Sequence, residues 1–352
     1  MSEEHALLAE AMERIFRDAF EARGDRGESA FDSELWGQLA ELGLPELLVP
    51  ESAGGAGGSL EDAQAVVHAM GRFAVALPLA ETLLVRRLCA DADLDAPEGP
   101  LTLATRSEGG LVRRGASWRF AGTLRGVPWG ARAAGILTAL PAPDGTRLAL
   151  LRPEDASTIE ARSNPAGEPR DQLVFEHAPV SSAIERGELP TLADAATLLR
   201  TGQISGALAA TLERALQYAQ EREQFGRPIT RFQVVQQLLA RMGSEVAAVA
   251  CATGAAFRAA DRGAAGFEIA CARLRANQGI ELAVATAHQV HGAIGFTHEI
   301  DLRLFTQRLL CWRSELGNDH YWSTRLGGEV AALGASSFWS ELTARADAAD
   351  GI

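Results

Sequence analysis

The spacing of apolar residues predicts long helices in the first and last thirds of the chain. Steps of four, three, four and three residues, typical of one face of an amphipathic helix, separate Ile204, Leu208, Thr211, Ala215 and Tyr218. The next predicted helix opens at Thr230 and has Gln233 at the capping-box position. Further helices are predicted over residues 6–23, 34–42 and 267–290.

The middle of the chain has a different pattern, in which short apolar runs alternate with glycine, proline, aspartate and asparagine. Such runs are typical of short β-strands that are joined by turns. They lie at residues 101–104, 118–121, 134–140, 148–151 and 172–175. We therefore predict a small antiparallel β-domain between two helical regions.

Together these patterns predict an α+β protein with three parts. An N-terminal α-helical domain covers residues 1–95, a small middle β-domain covers 96–188, and a C-terminal helical domain covers 189–352. Short connections between the C-terminal helices favour antiparallel neighbours, which is the arrangement of a four-helix bundle.

Composition and charge exclude several classes of function. The 352 residues carry a net charge of −13, and all 33 residues counted as lysine or arginine are arginine. Without lysine there is no Schiff-base lysine and no P-loop lysine, and the acidic balance argues against a nucleic-acid partner. No segment resembles a signal peptide or is apolar enough to span a bilayer. We therefore expect a cytoplasmic protein that has no membrane contact.

The cysteines and histidines do not predict a metal site. The four cysteines lie far apart without a CxxC spacing, and we expect reduced, buried thiols. His288 and His291 are three residues apart near a predicted helix end, but no HExxH motif or carboxylate partner accompanies them. His291 is better interpreted as a residue that lines a pocket or caps the helix.

A charged turn follows the first long C-terminal helix. Arg222 and Arg227 flank Phe225 in a segment that also contains Gly226 and Pro228. Guanidinium groups suit phosphates, and an aromatic side chain suits a stacked ring. The segment is therefore consistent with a nucleotide-type ligand, and equally with a charged helix end and a Gly–Pro turn.

A second glycine-containing segment follows the predicted helix over 267–290. Residues 289–297 contain Gly292 and Gly295, which allow a close approach of the backbone to a ligand. The same glycines are also expected of a helix C-cap that is followed by a tight turn. Taken alone, the segment favours the turn.

In this order the segments resemble the acyl-CoA dehydrogenase family over nearly the whole chain. The matching stretches are residues 36–43, 49–51, 54–57, 222–229, 232–233 and 289–296. The resemblance implies a helical domain, a β-domain and a four-helix domain, assembled as a dimer of dimers around FAD. It also implies α,β-desaturation of an acyl-CoA thioester, in which a carboxylate removes the α-proton while the β-hydrogen leaves as hydride to the flavin.

The resemblance assigns candidate cofactor-binding residues. In the family the first C-terminal signature reaches the FAD of a neighbouring subunit, and the second approaches the adenine end. The matching positions in this chain are Arg222, Gln224, Phe225, Gln233, Gln289, Gly292 and Gly295. Oligomerisation is then part of the active site.

The catalytic base is where the sequence departs from the family. In most relatives the base is a glutamate immediately before a Gly-Thr pair, and alignment on Gly317 places Leu316 at that position and Glu315 one residue early. Other relatives carry the base on the first bundle helix, where this chain has Ala196 and Thr197. Glu315 is therefore the candidate base, and an ordinary helix-end carboxylate is the alternative interpretation.

The β-domain departs from the family as well. The family's flavin loop is not recognisable after Thr105, and Trp129 is only a displaced candidate for the flavin-facing tryptophan. These departures resemble a subgroup of short bacterial chains that form halves of α2β2 heterotetramers and act on bulky, steroid-type acyl-CoA thioesters. We expect an acyl-CoA substrate and a homologous acyl-CoA dehydrogenase subunit as partner.

Three alternatives remain open at this point. The chain could be a homotetrameric dehydrogenase that uses Glu315, or a non-catalytic scaffold subunit that stabilises a partner. A flavin monooxygenase of the same fold is also compatible with the sequence.

Overall fold

Two compact units make up the chain. A computed structural model describes residues 3–22, 30–115, 117–184, 191–263 and 265–350. The helical unit comprises residues 1–20, 60–75 and 197–352, and the sheet unit comprises residues 21–59 and 76–196. The residues of both C-terminal motifs and Glu315 therefore belong to the helical unit.

The described residues form ten α-helices. Their bounds are α1 (Glu3–Glu21), α2 (Ser33–Glu41), α3 (Leu60–Arg72), α4 (Leu79–Asp91), α5 (Leu192–Glu221), α6 (Gln233–Asp261), α7 (Gly266–His291), α8 (Leu302–Trp312), α9 (Asp319–Leu333) and α10 (Phe338–Asp350). The helices that the sequence predicts over 6–23, 34–42 and 267–290 are confirmed as α1, α2 and α7, except that residue 23 lies outside the described residues. None of the helices in the described ranges is long and apolar enough to cross a membrane.

The start of α6 differs from the prediction. The helix begins at Gln233 rather than at Thr230, because a 3-10 turn over Ile229–Arg231 comes first and Phe232 has extended backbone angles of φ −93° and ψ 127°. Gln233 is therefore the first helical residue and not the reciprocal partner in a capping box. The extended backbone at Phe232 separates the 3-10 turn from the helix, and the Phe232 ring contacts Phe225 and Arg227.

Glycines bring the backbones of α3 and α5 into contact. A Cβ atom built on Gly206 would lie 1.9 Å from the carbonyl oxygen of His68, and one built on Gly71 would lie 1.9 Å from the carbonyl oxygen of Gln203. Only residues without a side chain permit such an approach. Around this contact the predicted apolar face of α5 is confirmed, because Ile204 and Leu208 are fully buried.

The beginning of α3 is capped from a distant helix. The carboxylate of Asp261, at the end of α6, accepts hydrogen bonds from the backbone N–H groups of Leu60 at 2.7 Å and Glu61 at 3.2 Å. A carboxylate at a helix N-terminus satisfies free N–H groups and complements the helix dipole. Burial raises the pKa of Asp261, while these two backbone hydrogen bonds lower it.

The sheet unit contains the predicted β-region. Its strands are β1 (Leu101–Ala104), β2 (Ser107–Arg114), β3 (Ser117–Pro128), β4 (Gly135–Ala142), β5 (Gly145–Leu151), β6 (Thr158–Glu160) and β7 (Arg170–Ile184). They form one sheet in the order β1-β4-β5-β7-β3-β2, and β6 also pairs with β7. The side chains of Phe120, Leu173 and Phe175 lie in its core.

Two features of the sheet correct the sequence prediction. The sheet is mixed and not purely antiparallel, because β1 pairs with β4 in parallel. The sequence analysis also missed β2, whose residues include two glycines and three charged side chains and show no apolar run. Pairing with β3 along its whole length, from Ser107 to Arg114, holds this strand in the sheet.

The cysteines are only partly buried, so the expectation of four buried thiols was wrong. Cys89 is buried, Cys271 and Cys311 are half-buried, and Cys251 is exposed. Burial raises the pKa of the Cys89 thiol to about 12, and burial together with nearby carboxylates raises that of Cys271 to about 11. Within the described ranges no three histidine, cysteine or acidic side chains come together as metal ligands would.

Candidate functional site

A tight hairpin follows α5 and carries the first motif. Two-residue strands, β8 (Glu223–Gln224) and β9 (Arg227–Pro228), pair antiparallel across Phe225 and Gly226. Both turn residues have positive φ, 52° at Phe225 and 77° at Gly226, as a type I′ turn requires. The turn directs the Phe225 side chain outward, and 92% of this residue is exposed.

The polar side chains of this hairpin are available to a ligand. Arg222 and Gln224 are exposed, and their side chains form no hydrogen bond or ion pair with other residues in the described part of the chain. Arg227 instead lies over the ring of Phe232 at 4.5 Å, and Phe225 meets the same ring edge-on at 6.1 Å. The Arg227 guanidinium therefore packs on the hairpin, while that of Arg222 has no side-chain partner among the described residues.

The second motif forms the end of α7 and the turn after it. Gly292 has φ 66° and ψ −144°, and a five-residue 3-10 turn runs from Gly292 to Phe296. A Cβ atom on Gly295 would lie 3.1 Å from Nδ1 of His288 and 3.1 Å from Cβ of His291. Gly295 thus packs tightly on the helix, whereas Gly292 is exposed and open.

A pair of stacked rings joins the two motifs. Tyr218, in the last turn of α5, stacks on His291 at 4.5 Å between ring centroids. His291 donates through Nδ1 to the carbonyl oxygen of Ala287 at 2.8 Å. Burial lowers the pKa of His291, although the Ala287 hydrogen bond and the charge of Asp301 oppose this. The structure therefore places Arg222 and Gly292, which are distant in sequence, at the same end of the helical unit.

The two predicted glutamines lie on exposed helix positions near these motifs. Gln289 is in the last turn of α7, and Gln233 is the first residue of α6. Both are exposed, and within the described part of the chain neither side chain forms a hydrogen bond. We call the exposed surface formed by Arg222, Gln224, Phe225, Gln233, Gln289, Gly292 and Phe296 the motif end.

Glu315 lies in a different place, on the loop between α8 and α9. Its carboxylate is 4.0 Å from Nε of Arg200 on α5, and the Glu315 side chain is 23% exposed. The guanidinium of Arg200 also lies over the Trp312 ring at 4.9 Å. Glu315 is thus a counter-ion to a nearly buried arginine.

The α8–α9 loop is held by further contacts. Leu316 has a positive φ of 37°, and its carbonyl oxygen accepts a hydrogen bond from Trp322 Nε1 at 3.1 Å. A Cβ atom on Gly317 would lie 2.5 Å from that same nitrogen. Asn318 caps α9 by accepting from the N–H of Tyr321 at 3.0 Å. The loop is therefore firmly fixed on α9.

A second buried arginine contacts the end of α8, where the loop begins. Arg273, on α7, is fully buried and donates through Nη2 to the carbonyl oxygen of Trp312. Its Nε and Nη1 atoms find no partner among the described residues. Burial lowers the pKa of Arg273 to about 9, with a contribution from the charge of Arg200, while Glu315 and Asp319 oppose the shift.

The motif end and the α8–α9 loop are far apart within one chain. Arg200 contacts Glu315, and Tyr218 contacts His291, so α5 connects the two places. At 1.5 Å per helical residue the eighteen residues between Arg200 and Tyr218 span about 27 Å. A small group that touches Glu315 therefore cannot also touch the motif end of the same chain.

Sequence reasoning missed the roles of four residues that shape these places, although it named Tyr218 on a helix face and Phe296 within a motif. Arg200 and Arg273 are buried charges within helical segments, and Tyr218 and Phe296 form ring stacks. Arginine at a buried helix position is a signal that sequence can supply, because a charge on an apolar face needs a partner. The displaced candidate Trp129 is buried, 6% exposed, and packs edge-on against Phe31 at 5.8 Å.

Sequence comparison gives matches at both ends of the chain. A model of the acyl-CoA dehydrogenase N-terminal domain matches residues 2–91, and a model of the acyl-CoA dehydrogenase C-terminal domain matches residues 195–322. Acyl-CoA dehydrogenase FadE34 of Mycobacterium tuberculosis is 35% identical over 82% of this chain, and the match covers 41% of FadE34. This chain therefore spans less than half the length of that relative. Acyl-CoA dehydrogenase IpdE2 of the same organism is 31% identical over 81% of each chain.

Solved structures share the whole fold. The Tcur3481-Tcur3483 steroid ACAD, solved as a variant, aligns with a TM-score of 0.83 and 28% identity over 94% of this chain and 98% of its own. The ChsE4-ChsE5 complex from Mycobacterium tuberculosis aligns with a TM-score of 0.84 over 95% and 99%; at 23% identity this likeness concerns the fold alone. With two matching domain models and a relative 31% identical over most of both chains, the chain belongs to the acyl-CoA dehydrogenase family.

Proposed function

We propose that this chain is one subunit of a heteromeric, FAD-dependent acyl-CoA dehydrogenase that acts on a bulky, steroid-derived acyl-CoA thioester. Members of the family are FAD-dependent oxidoreductases that act on CH–CH bonds. The names of two structural relatives pair two proteins, and one of these pairs is described as a steroid ACAD. These names motivate the proposed partner and substrate class.

The proposal depends on the α8–α9 loop, which has a leucine where relatives have the catalytic carboxylate. Alignment on Gly317 puts Leu316 where relatives have their base, and a leucine side chain cannot accept a proton. The neighbouring carboxylate, that of Glu315, lies against Arg200 in an ion pair. A base for proton abstraction must be able to reach the substrate α-carbon. If a second, homologous subunit supplies the base, this chain needs no carboxylate of its own near the substrate α-carbon.

The residues of the motif end fit one side of a dinucleotide. The exposed guanidinium of Arg222 is a donor suited to a pyrophosphate, and the amide of Gln224 stands two residues away on the same hairpin. Phe225 offers an exposed ring that is fixed by its turn. Bound FAD would supply the hydride acceptor of the reaction.

The role of this chain's own residues is to bind and orient. Arg222 and Gln224 would donate to phosphate oxygens, while Gln233 and Gln289 would offer amides along the same surface. Gly292 leaves its backbone open to a ligand because no side chain covers it. Since the α8–α9 loop lies about 27 Å from this surface along α5, one chain alone would bring only part of a site together.

A second candidate is a homotetramer that uses Glu315 as its base. The partial exposure of its side chain, 23%, favours this candidate because a fully buried carboxylate could not reach a substrate. A non-catalytic scaffold subunit is the third candidate, and the position of Trp129 favours it, because the ring is only 6% exposed and packs on Phe31, which leaves little of it open to a flavin.

Visible absorption of the purified protein tests the proposal. The chain is purified alone and after coexpression with a homologous acyl-CoA dehydrogenase subunit from the same genome, and bands of oxidised flavin are sought at roughly 370 and 450 nm. We expect a colourless chain alone and a yellow complex that desaturates a steroid-type acyl-CoA. A yellow, active chain without a partner would contradict the heteromer.

Variants of Glu315 separate the candidates further. Glu315→Gln should leave turnover of the complex within about twofold of wild type if the partner supplies the base. Glu281→Gln is the matched control, since Glu281 also pairs with an arginine, Arg313 at 2.9 Å, but is 69% exposed. Loss of turnover by about a hundredfold or more in Glu315→Gln alone would assign the base to this chain.

A further inference from the structure

Two polar side chains in the interior of the helical unit have atoms without hydrogen-bond partners. Asn277 on α7 is fully buried, and neither Nδ2 nor Oδ1 of its amide forms a hydrogen bond with any described residue. Arg273, four residues earlier, is equally buried, and its Nε and Nη1 atoms also have no partner among these residues. Residues four apart lie on the same face of a helix. Since buried polar groups are normally paired, this face of α7 offers unused hydrogen-bonding groups.

A second guanidinium lies beside this face. Arg200 of α5 is nearly buried and lies over the indole ring of Trp312 at 4.9 Å, while Arg273 donates to the backbone carbonyl oxygen of the same residue. Burial lowers the pKa of Arg273, and the charge of Arg200 lowers it further. Glu315 offsets part of this positive charge, because its carboxylate is 4.0 Å from Nε of Arg200. The cluster therefore combines two neighbouring cations with donors that nothing in the described chain satisfies.

A carboxylate is the ligand that this arrangement suits. An ionised carboxylate accepts hydrogen bonds without donating any, and its bonds to a guanidinium are charge-assisted and stronger than neutral ones. The carboxylate of Asp319 does not fill this role, because its side chain is 40% exposed and it pairs with Arg313 at 2.6 Å. The side chains of Glu315 and Arg200 are 23% and 9% exposed, so the cluster reaches the surface beside the α8–α9 loop.

We propose that Arg273 and Asn277, together with Arg200, form a binding site for a carboxylate group. This inference goes beyond the proposed dehydrogenase function and does not depend on it, because the site uses no residue of the motif end. The carboxylate belongs either to a free organic acid or to the acyl chain of a CoA thioester. Because it satisfies buried donors that the folded chain brings together, its binding stabilises the folded protein.

Thermal unfolding with sodium acetate tests the site. The purified protein is heated with increasing acetate, with acetamide, which has a similar shape without the charge, and with sodium chloride at the same ionic strength. Acetate should raise the Tm of wild type in a saturable manner, whereas acetamide and chloride should not. Asn277→Leu keeps the branched shape of the side chain and removes its polar atoms. Acetate should bind this variant at least about tenfold more weakly, the lower limit for a lost hydrogen bond to a charged group.

A matched pair of arginine variants on α5 locates the effect. Arg200→Met should also weaken acetate binding, whereas Arg214→Met should not, because Arg214 lies further along the helix and pairs with Asp301 at 2.6 Å. Without acetate, Asn277→Leu should unfold at or above the wild-type Tm, since the replaced amide forms no hydrogen bond with the described residues. Equal effects of acetate and acetamide, or equal acetate affinity of Asn277→Leu and wild type, would overturn the carboxylate site.

Two CoA thioesters distinguish the source of the carboxylate. Adipoyl-CoA and hexanoyl-CoA have the same chain length, and only the former ends in a carboxylate. If the group is part of the acyl chain, wild type should bind adipoyl-CoA at least about tenfold more tightly, and Asn277→Leu should abolish this preference. If the ligand is a free acid, the two thioesters should bind alike while acetate binding still depends on Asn277. Flavin content and turnover test the proposed function separately, and a colourless, inactive protein would leave the acetate result unchanged.

Discussion

Substitution of Gly206 by alanine tests the closest helix contact in the helical unit. The added Cβ atom would lie 1.9 Å from the carbonyl oxygen of His68 and 2.8 Å from the backbone nitrogen of Arg72. Both are main-chain atoms of α3, and neither can rotate away as a side chain could. The two helices must therefore move apart by about an ångström, which loosens the core around Ile204 and Leu208.

The size of the effect follows from two opposing contributions. Alanine is favoured over glycine inside a helix by about 1 kcal/mol, whereas forcing a methyl group into a close-packed contact costs about 1–3 kcal/mol. Because the obstacle at Gly206 is backbone, the upper figure applies, and a net loss of about 2 kcal/mol is expected. For a unit of this size that corresponds to a fall in Tm of about 4–8 °C.

Urea unfolding followed by far-ultraviolet circular dichroism measures this loss. Gly243→Ala in α6 is the matched control, because a Cβ atom there meets nothing within 4 Å, so only the helix-propensity gain of up to about 1 kcal/mol remains. The two substitutions are chemically identical and should have opposite signs. If Gly206→Ala were as stable as wild type, or if Gly243→Ala were destabilised equally, the close contact of α3 and α5 would be refuted.

Three further predictions concern charges and thiols. Arg200→Met and Glu315→Gln should each lower stability, and the double variant should lose less than the sum by about 1 kcal/mol, whereas additive losses would contradict the ion pair. Because burial raises the pKa of Asp261 above its ordinary value of 3.8, the folded state binds the proton more tightly than the unfolded state does. The free energy of unfolding should therefore fall as the pH rises from 3.8 through the raised pKa. Unfolding measured across this pH range should show no such fall for Asp261→Asn, and an unchanged slope in that variant would contradict the prediction. At pH 8 a thiol reagent should label the exposed Cys251 within minutes and leave Cys89, with its pKa of about 12, unlabelled until unfolding, and rapid labelling of Cys89 in the native protein would contradict its burial.

Periodicity predicted the elements whose burial repeats along the chain. The apolar face of α5 was predicted because Leu208 and Ala215 recur at helical spacing, and both are buried. The runs at 101–104 and 148–151 were predicted as strands because they are short apolar runs between turn residues, and they lie in β1 and β5. β2 escaped because its stability comes from pairing with β3 and not from its own apolar residues. The parallel β1–β4 pair escaped because the order of strands in a sheet is set by long-range packing.

The sequence predicted the local motifs of the candidate site but not the contacts between residues that are distant in sequence. The motifs around Arg222 and Gly292 could be identified because each is local in sequence, but the stack of Tyr218 on His291 that joins them bridges two helices. The pairing of Arg200 with Glu315 joins residues more than a hundred positions apart. A single sequence contains no periodic signal for such contacts, so the environment of Glu315 could only come from the structure.

Strained backbone occurs both in the hairpin after α5 and in the α8–α9 loop. Among the described residues six non-glycine residues have positive φ, and these include Phe225 at the hairpin and Leu316 on the α8–α9 loop. A left-handed conformation costs a residue with a side chain about 1–2 kcal/mol relative to glycine, and glycine at either position would remove that cost. At Phe225 the strain holds an aromatic ring that is 92% exposed and whose contact within the isolated chain is the edge-on packing against Phe232. The exposed part of such a ring stabilises the protein when something covers it, and a dinucleotide held between subunits, together with the partner surface around it, would do so.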